Sequence, residues 1–485
     1  MPSQTAVFTR LVRHHMGPAP ITVKPGITCE EVAHRMREGA ASACVVENAD
    51  GHISGIVTEQ DVCRRIAYVC APQTPIEEVM SAPVGTIRDD DYLYHAIARM
   101  RRGRLRHMPV TDRDGHAVGI LQLHEALALA AGQMVSQIER LTHEETVAGM
   151  KDTKTAQVDV AAELLRDHVP TPEIQRLVTF INNDLYHRVV ALCVRQMHGD
   201  GWGEPPVAFD VVVMGSGGRG ESYLFPDQDN GFVLADYPDE EHTRIDAWFI
   251  ELAERMTRAL NEVGFAYCPG YVMASNPLWR KSISQWREQV GRWVGVSAGQ
   301  ALRLADIFFD FVPVFGDGVL TAQLRETVTA MASRPFFLRE MYKVDEEHGV
   351  ALGLFGRLQT ETQDGPHKGK VNLKLTGTLP LVGAIRIYAL HERIPETSTL
   401  NRISGLHEKG ILGDNEQDYL RGAFRHITHL LLRQQIADFQ AGRPVGNHVP
   451  PDALSKRERD MLVDSFKAIR ALRSRLRTEL MADPF

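Results

Sequence analysis

Cysteines and long apolar runs are scarce in this sequence. Its 485 residues include six cysteines, and no two of them form a CxxC pair, which excludes a disulfide-rich scaffold. No uninterrupted apolar run approaches the roughly 20 residues that a membrane-spanning helix requires. The first fifteen residues, MPSQTAVFTRLVRHH, also lack the apolar segment of a signal peptide. We therefore expect reduced thiols in a cytoplasmic protein that has no membrane partner.

Positive charge is in short supply as well. Lysine and arginine number 54 against 62 aspartates and glutamates, which gives a formal net charge of -8 at pH 7. This balance argues against an electrostatic grip on nucleic acid, although a local basic patch stays open. The hydrophobic content of 44% and the charged content of 24% are ordinary for a globular protein. The length leaves room for about three domains of roughly 150 residues each.

The N-terminal part of the chain contains an internal repeat. Residues 16–61 align without gaps on residues 80–125, and the Asp-Gly-His at 50–52 recurs at 114–116. Each copy predicts a short strand, a helix, two strands joined by an Asp-Gly turn, and a second helix. The joined strands are predicted at 43–46 and 53–57 in the first copy and at 107–110 and 118–121 in the second. Units of this size rarely bury a core alone, so we expect the two copies to pack together.

Residues 55–61, with the sequence GIVTEQD, lie at the junction between the last strand and the second helix of the first copy. With the repeat, this segment resembles a tandem CBS-domain pair. The resemblance implies that Thr58 and Asp61 contact the ribose and phosphate of a regulatory adenosine nucleotide (ATP, ADP or AMP). An aspartate can accept from both ribose hydroxyls, and a helix N-terminus favours phosphate. The alternative for Thr58 is a plain N-cap. The second copy departs from the pattern with Gln122 and Glu125.

Residues 209–234, FDVVVMGSGGRGESYLFPDQDNGFVL, carry most of the chemical information. The β-branched run at 211–213 predicts a buried strand, and the Gly-rich segment 215–220 can wrap a phosphate chain with its backbone N–H groups. Asp227 and Asp229 lead into a second apolar strand, where residues i and i+2 project to one face. Two aligned carboxylates beside a phosphate-binding loop are what Mg²⁺-dependent nucleotidyl transfer requires. The stretch therefore predicts a nucleotidyltransferase.

Two other interpretations of the Gly-rich segment fit less well. Its glycines satisfy G-x-G-x-x-G, but only residues 221–226 separate them from Asp227, too few for the helix of a dinucleotide-binding fold. No Gly-Lys-Ser or Gly-Lys-Thr follows, which excludes a P-loop. The Asp-Gln-Asp-Asn-Gly run at 227–231 is also good turn sequence, and on these residues alone a plain turn stays open.

The spacing of Gly-Ser, ten further residues and Asp-x-Asp resembles the DNA polymerase beta-like nucleotidyltransferases. More specifically, the chain resembles the nucleotidyltransferase family related to protein-PII uridylyltransferase, in which CBS pairs often precede the transferase unit. The resemblance continues through MASNPLWR at 273–280 and ADIFFDFV at 305–312. The latter is predicted as a strand with Asp306 and Asp310 on one face. Val312 stands where relatives commonly carry arginine.

The resemblance implies three catalytic, metal-binding carboxylates. Asp227 and Asp229 would ligate two Mg²⁺ ions, and Asp310 would complete the site on the side that activates the acceptor hydroxyl. The reaction would convert an NTP substrate and the acceptor hydroxyl into NMP-acceptor and pyrophosphate. By resemblance, the acceptor is a protein side chain such as the tyrosine of a PII-like regulatory protein.

The same resemblance implies a nucleotide-binding role for four residues of the loop. Gly215 and Ser216 would hold the β- and γ-phosphates, and Arg219 would neutralise them. Glu221 would orient Arg219 or the loop. A surface ion pair is the alternative for Arg219 and Glu221.

Helical periodicity fills most of the remaining chain. Residues 131–205 predict a helical linker, and a capping box at 455–458 starts the last helix of a C-terminal bundle. The bundle resembles the substrate-binding domain that accompanies this transferase family, notably in GKVNLKLTGTLPLVGAIRIYAL and ETSTLNRISGL. Lys370, Lys374 and Arg386 are candidates to face the cleft and bind an acidic substrate or nucleotide. Solvated surface charges are the alternative.

These features predict a multidomain α/β protein. The domains are a tandem CBS pair (α+β) at 10–130 with repeats at 14–70 and 78–130, the linker, a small mixed-sheet nucleotidyltransferase domain at 206–330, and an all-α bundle at 334–485. We expect a Mg²⁺-dependent, protein-modifying, uridylyltransferase-like enzyme of signal transduction that is regulated through its CBS pair and forms a homodimer. The alternative is a nucleotide-sensing scaffold without catalysis.

Overall fold

The computed structural model of the chain describes residues 10–67, 69–103, 105–123, 126, 146–295, 306–353 and 356–482, so that Glu125 lies outside the described residues. The chain divides into two compact units, Met1–Arg140 and Leu141–Phe485. Among the described residues, no helix combines the length and the apolarity that crossing a bilayer needs. The architecture is the predicted multidomain α/β one, with small mixed sheets and many helices.

The first unit contains two copies of one small sheet. The strands are β1 (Ile21–Val23), β2 (Ala43–Glu47) and β3 (Ile53–Thr58) in the first copy, and β4 (Ile87–Arg88), β5 (His107–Thr111) and β6 (Ala117–Gln122) in the second. In each copy the first strand is parallel to the second, which pairs antiparallel with the third. The helices α1 (Cys29–Glu38) and α2 (Leu93–Arg102) connect the first strand to the second. The predicted repeat and its strand pairs are confirmed.

The Asp-Gly turns of the two copies face each other. The imidazole rings of His52 and His116 stack with their centroids 5.8 Å apart. Gly51 and Gly115 hold φ values of +82° and +87° in these turns, a conformation that other residues rarely adopt. Each hairpin also carries a register shift at the equivalent point. The two copies therefore share their irregular features as well as their strands.

Helix α1 shows how each copy builds its core. Thr28 caps the helix by accepting a hydrogen bond from the Glu31 backbone at 3.2 Å. Cys29, Val32 and Met36 are buried at helical spacing, and they pack in one cluster with the inward side chains of β1, β2 and β3. The sheet and the helix therefore bury their apolar faces against each other.

The second unit contains a four-stranded mixed sheet. Its strands are β7 (Phe209–Val213), β8 (Asn230–Leu234), β9 (Arg280–Ser282) and β10 (Val312–Phe315). They lie in the order β10-β7-β8-β9, where only β8 and β9 are parallel neighbours. Every residue of β7 and β8 is buried, which requires that both faces of the sheet are covered. The two strands predicted on either side of the Gly-rich segment are confirmed.

Five helices in the described part of this unit belong to the same domain as the sheet. They are α3 (Val147–Arg166), α4 (Thr171–Gly199), α5 (His242–Val263), α6 (Ile283–Gly295) and α7 (Val319–Met331). The sequence predicts a linker over 131–205, but α3 and α4 pack on each other and on α5 within the second unit. The reason is their apolar faces, which bury long rows of side chains against the rest of the unit. The described part of this region belongs to the domain that holds the mixed sheet.

The segment predicted as a strand at 305–312 has a different conformation. Residues 306–308 are helical, and residues 309–310 form a turn. Strand β10 begins only at Val312. The carbonyl oxygen of Phe309 accepts a hydrogen bond from the Arg325 guanidinium at 2.8 Å. In a strand, this oxygen would accept from the backbone of a neighbouring strand. The strand prediction is therefore wrong for this segment.

The C-terminal part is a helical bundle, as predicted. Its helices are α8 (Pro335–Asp345), α9 (Leu379–His391), α10 (Thr399–Glu408), α11 (Asp414–Gln440) and α12 (Lys456–Ala482), and two short strands, β11 (Val371–Asn372) and β12 (His448–Val449), pair antiparallel. Helix α9 contacts α8, α10 and α12, and α11 packs along α12. The predicted capping box is present, because the Ser455 backbone donates to Glu458 Oε2 at 2.8 Å and the Glu458 backbone donates to Ser455 Oγ at 3.3 Å.

Candidate functional site

The Gly-rich loop begins directly after β7 with a single helical turn, Gly215–Gly218. Gly215 has a φ of +59°, and a Cβ atom placed there would lie 3.1 Å from Asp229 Oδ2. A Cβ atom at Gly218 would lie 1.6 Å from the carbonyl oxygen of Asp310. Both positions require glycine, because the loop backbone passes directly against the segments that carry these two aspartates.

Asp227 and Asp229 lie in the short extended segment before β8. The side chain of Gln228 between them is buried, and its Nε2 donates to the carbonyl oxygens of Thr257 and Phe265 at 3.0 Å each. Alternation along an extended segment places the two aspartates on the side opposite to Gln228. One oxygen of each carboxylate also lies within 4.8 Å of the other, which agrees with the predicted common orientation.

A third side chain joins this pair. One carboxylate oxygen of Asp227, one of Asp229 and the Sγ atom of Cys268 all lie within 4.8 Å of one another. Asp229 Oδ1 is buried and has no hydrogen-bond partner among the residues that the structure describes. Uncompensated acceptors of this kind suit a divalent cation. We call these three residues the carboxylate–thiol group.

The electrostatics of the carboxylate–thiol group follow from its burial. Burial, and then the neighbouring Asp227, raise the pKa of Asp229 to about 7. Burial, followed by Asp229, raises the pKa of the Cys268 thiol to about 12. Lys374 and Arg219 offset part of the rise at Asp229. Among the three basic residues proposed to face the cleft, Lys374 thus acts on the site.

Asp310 is not among the groups of possible metal ligands found in the described residues. Arg219 and Arg386 donate to its Oδ2 at 2.8 and 2.6 Å, and Arg402 Nη1 lies 2.7 Å from its Oδ1. Burial alone would raise the pKa of this fully buried carboxyl, but Arg386, Arg402 and Arg219 hold it well below its usual range. Three guanidinium groups therefore surround Asp310, and two of them donate hydrogen bonds to its Oδ2. Its Oδ1 lies beside Arg402 but has no hydrogen-bond partner among the described residues. The role of Asp310 as third metal ligand stays a prediction.

Two further acidic residues extend this arginine cluster. Arg386 also bonds Asp306, since a helical turn brings residues four apart to one side. Arg219 Nε donates to Glu221 Oε2 at 2.7 Å, so the predicted contact between these two residues is present. The other carboxylate oxygen of Glu221 accepts from the Thr399 backbone at the start of α10, at 2.6 Å. The loop is therefore tied to the helical bundle, and Arg219 faces carboxylates.

One small cavity lies beside the carboxylates. A cavity of about 20 Å³ is lined by Ser216, Asp227 and Asp229 on one side and by Asn182 and Tyr186 of α4 on the other. This volume holds about one water molecule. This cavity by itself is too small for a triphosphate. Lys370 lines a separate cavity of about 280 Å³.

The sequence interpretation missed the wall that α3 and α4 build behind the loop. Lys154 is fully buried, and its Nζ donates to Asn182 Oδ1 at 2.7 Å and to the Leu224 carbonyl at 2.9 Å. Burial lowers the pKa of Lys154 well below its usual value. Gln175 Nε2 donates to the Glu221 carbonyl at 3.0 Å. Lys154 and Gln175 lie among the apolar residues of these helices, and such polar residues were the sequence signal that could have indicated the wall.

Thr58 and Asp61 form a complete capping box in the first unit. Thr58 Oγ1 donates to Asp61 Oδ2 at 2.7 Å, and the Thr58 backbone donates to the same oxygen at 3.0 Å. Arg65 Nε lies 3.4 Å from Asp61 Oδ1. The N-cap alternative for Thr58 is therefore realised, and the two predicted ligand-binding residues do lie together at the junction of β3 with its helix.

Comparison with known families assigns most of the chain. Residues 12–68 and 76–132 both match the family described as "CBS domain", so the class of protein is a CBS-pair protein. Residues 155–300 match "Putative nucleotidyltransferase DUF294", and residues 335–480 match "Putative nucleotidyltransferase substrate binding domain". The chain therefore carries a CBS pair, a DUF294 nucleotidyltransferase domain and the C-terminal domain that accompanies it. The family predictions are confirmed, and the match from residue 155 includes most of α3 and α4.

Curated relatives resemble only part of the chain. "CBS domain-containing protein CBSCBSPB3" of Arabidopsis thaliana is 30% identical over 122 residues, which is 25% of this chain and 22% of the relative. "Uncharacterized protein MK0525" of Methanopyrus kandleri is 32% identical over 111 residues, or 22% of this chain and 56% of the relative. The chain thus spans about a fifth and about half of the length of these two relatives.

Solved structures resemble the chain over about a quarter of its length. An uncharacterized conserved protein from Pyrococcus horikoshii has a TM-score of 0.24 and 24% identity, and covers 26% of this chain and 95% of its own. The CBS domain protein PAE2072 from Pyrobaculum aerophilum, solved in complex with AMP, has a TM-score of 0.23 and 23% identity, and covers 25% of this chain and 98% of its own.

Proposed function

We propose that this chain is a Mg²⁺-dependent nucleotidyltransferase that transfers NMP from an NTP to an acceptor hydroxyl and releases pyrophosphate. The observation that carries the proposal is the pair Asp227 and Asp229 next to the loop at Gly215. The buried Asp229 Oδ1 has no hydrogen-bond partner among the described residues. The match of residues 155–300 to the DUF294 family supports the same class of reaction.

The carboxylate pair fits a divalent cation by its chemistry. Asp227 and Asp229 would hold the ion, which when bound would neutralise the phosphates and the developing charge. Burial and the neighbouring Asp227 raise the pKa of Asp229 to about 7, which is consistent with a site that a cation would stabilise. Asp310 would join them as third ligand only by exchanging arginine partners, because its Oδ2 accepts hydrogen bonds from Arg219 and Arg386.

The loop would bind the substrate after α4 moves away. Ser216 already lines the small cavity and would donate its hydroxyl to a phosphate oxygen, together with the Gly215 backbone. Separation of Asn182 and Tyr186 from the carboxylates would make room for the nucleotide. Arg219 would reach the phosphates by exchanging a carboxylate partner for a phosphate partner.

The proposal also includes a regulatory ligand and an acceptor. An adenosine nucleotide would bind the first CBS copy at Thr58 and Asp61, replacing the bonds of the capping box, as the AMP complex of PAE2072 suggests for a protein of this class. The acceptor would be a hydroxyl of a protein such as a PII-like regulator, so that the chain would act in signal transduction. Binding of AMP or ATP, measured by calorimetry, should be lost in Asp61→Ala and kept in Asp50→Ala, an exposed aspartate of the same copy.

A labelling experiment tests the transfer. The full chain is incubated with Mg²⁺, cell extract and each of ATP, UTP, CTP and GTP labelled on the α-phosphate. We expect one nucleotide to label an acceptor, and the label to disappear in Asp227→Ala/Asp229→Ala. Asp239→Ala, an exposed aspartate of the same unit, is the matched control and should keep full transfer. Transfer that survives in the double variant would refute the assigned site.

A nucleotide-sensing scaffold without catalysis is the second candidate function. The engagement of Asp310 by three arginines and the cavity of only about 20 Å³ favour it. Val312 in place of the usual arginine agrees with it. The scaffold predicts saturable NTP binding with no label transfer for any of the four nucleotides.

A further inference from the structure

Cys268 occupies a defined place opposite the carboxylates. The backbone of Gln228 donates to the Ala266 carbonyl at 2.8 Å, and that of Asn230 donates to the Val272 carbonyl at 3.0 Å. These two bonds join the segments on both sides of Asp229 and of Cys268. The thiol therefore meets the carboxylates because the two backbones are paired around it.

A tight turn orients the thiol from the other side. The Tyr271 backbone donates to the Cys268 carbonyl at 2.9 Å, and Tyr271 holds a φ of +56°. A non-glycine residue in this conformation indicates a turn that its surroundings maintain. Cys268 is 5% exposed, so its side chain is buried at this turn.

The donor set of the group is mixed. Two carboxylates and one sulfur atom lie within 4.8 Å of one another, and Asp229 Oδ1 is buried without a partner in the described part of the chain. Carboxylates alone suit Mg²⁺, whereas a thiolate ligand favours softer divalent ions. Sulfur in this position therefore bears on which ion the site selects.

We propose that Cys268 Sγ is the third protein ligand of the cation held by Asp227 and Asp229, and that it shifts the preference of the site from Mg²⁺ towards Mn²⁺, Co²⁺ or Zn²⁺. As the metal–sulfur bond forms, the thiol proton is released to solvent, and no electron is transferred. This inference rests on the proposed function, since it concerns the same site. It adds a ligand that the resemblance to the transferase family does not imply.

Cobalt reports on sulfur ligation directly. The full-length protein is freed of metal and titrated with CoCl₂ while its near-ultraviolet absorption is recorded, where thiolate-to-cobalt charge transfer appears. We expect a saturable band in the wild type. The band should vanish in Cys268→Ser, with Co²⁺ affinity weakened by about tenfold or more, since even indirect partners of a ligand change affinity by 10- to 100-fold.

Cys193→Ser is the matched control. Cys193 is buried in α4 of the same unit, where its charged neighbours are Arg255 and Arg258. This variant should keep the band and the affinity. Far-ultraviolet circular dichroism of all variants, with Cys268→Ala as a second truncation, separates loss of a ligand from loss of fold.

Replacement by a carboxylate gives the opposite result. Cys268→Asp should lose the charge-transfer band and reverse the preference, so that Mg²⁺ competes for the site better than it does in the wild type. A wild-type protein that binds Co²⁺ without the band, or a Cys268→Ser variant that keeps it, overturns the inference on Cys268 and leaves the proposed function standing. If Asp227→Ala/Asp229→Ala binds Co²⁺ as the wild type does, or if the wild type binds none, both the inference and the proposed metal site fail.

Discussion

Two groups of acidic side chains lie against the same Gly-rich loop, and they differ in how far basic side chains compensate their negative charge. Asp310 is fully buried and shared by Arg219, Arg386 and Arg402. The carboxylate–thiol group has like charges side by side, and neither Asp227 nor Asp229 has an ion-pair partner among the described residues. Accordingly the pKa of Asp310 is held well below its usual range, while that of Asp229 rises to about 7.

This difference indicates that the charge of Asp310 stabilises the fold, whereas the charge of the carboxylate–thiol group is suited to binding a cation. A buried carboxylate with three guanidinium partners links loop, bundle and sheet, and removing one partner leaves uncompensated charge. A carboxylate pair without an ion-pair partner among the described residues destabilises the fold until a cation compensates it. Sites of this second kind are typical of function, because stability alone gives no reason to keep them.

The largest expected effect is the loss of Asp310. Asp310→Ala leaves three buried guanidinium groups without their shared carboxylate, and we expect a loss of about 3–5 kcal/mol in the free energy of unfolding. Urea denaturation of the full chain measures it. The control Asp239→Ala should change it by less than about 0.5 kcal/mol. Equal stability of Asp310→Ala and the wild type would remove the contrast between the two groups.

The pH dependence of stability distinguishes the two groups by sign. Asp229 has a pKa near 4 when unfolded and about 7 when folded. Between these values the folded state retains a proton that the unfolded state has lost, so the metal-free protein loses stability as pH rises from about 4 to about 7, by a few kcal/mol in total. Asp310 acts in the opposite direction, because its depressed pKa adds stability above about pH 4 that is lost at lower pH.

Thermal melting of metal-free wild type and Asp229→Asn across this range measures the effect. The difference between the two curves isolates Asp229, and it should shrink towards pH 4. A constant difference would mean that the carboxyl of Asp229 does not titrate between the two values.

Metal binding should stabilise the carboxylate–thiol group selectively. At a free cation concentration of 100 times Kd, a ligand that binds only the folded state adds about 2.7 kcal/mol. We expect this rise with Mn²⁺ in the wild type and its absence in Asp227→Ala/Asp229→Ala, measured by urea denaturation at pH 7.5. Asp310→Asn should still gain the full increment, since its carboxylate lies in the other group. Loss of the increment there would place Asp310 in the metal site after all.

The smallest effect concerns the loop that separates the groups. Gly218→Ala places a Cβ atom 1.6 Å from the Asp310 carbonyl oxygen, which the backbone must relieve by moving, at a cost of about 1–3 kcal/mol. Gly217→Ala is the matched control, because its Cβ would first meet Val213 at an ordinary 3.7 Å. The control should be neutral in chemical denaturation. Similar stability of the two variants would show that the loop yields at Gly218.

The repeat, the helical bundle and the pairing of Asp227 with Asp229 were open to prediction because their signals are local. Asp227 and Asp229 are two residues apart, so strand alternation alone orients them. The capping box at Ser455 is likewise contained in four residues. The wrong strand prediction around Asp310 has the same origin, because it used only local composition. In the structure, the Arg325 guanidinium donates hydrogen bonds to the backbone carbonyl oxygens of Phe309 and Phe311.

Tertiary structure alone decided which groups compensate these charges. Arg386 is 76 residues from Asp310 along the chain, and no periodicity connects them. Cys268 reaches Asp229 through backbone pairing between distant segments, and α4 closes the cavity from a region that resembles a linker. The spacing of residues along a strand or helix specifies towards which face a side chain projects, because that face depends only on the neighbouring peptide units. The energy of a buried charge depends on every group within several ångströms, and only the folded chain determines which groups those are.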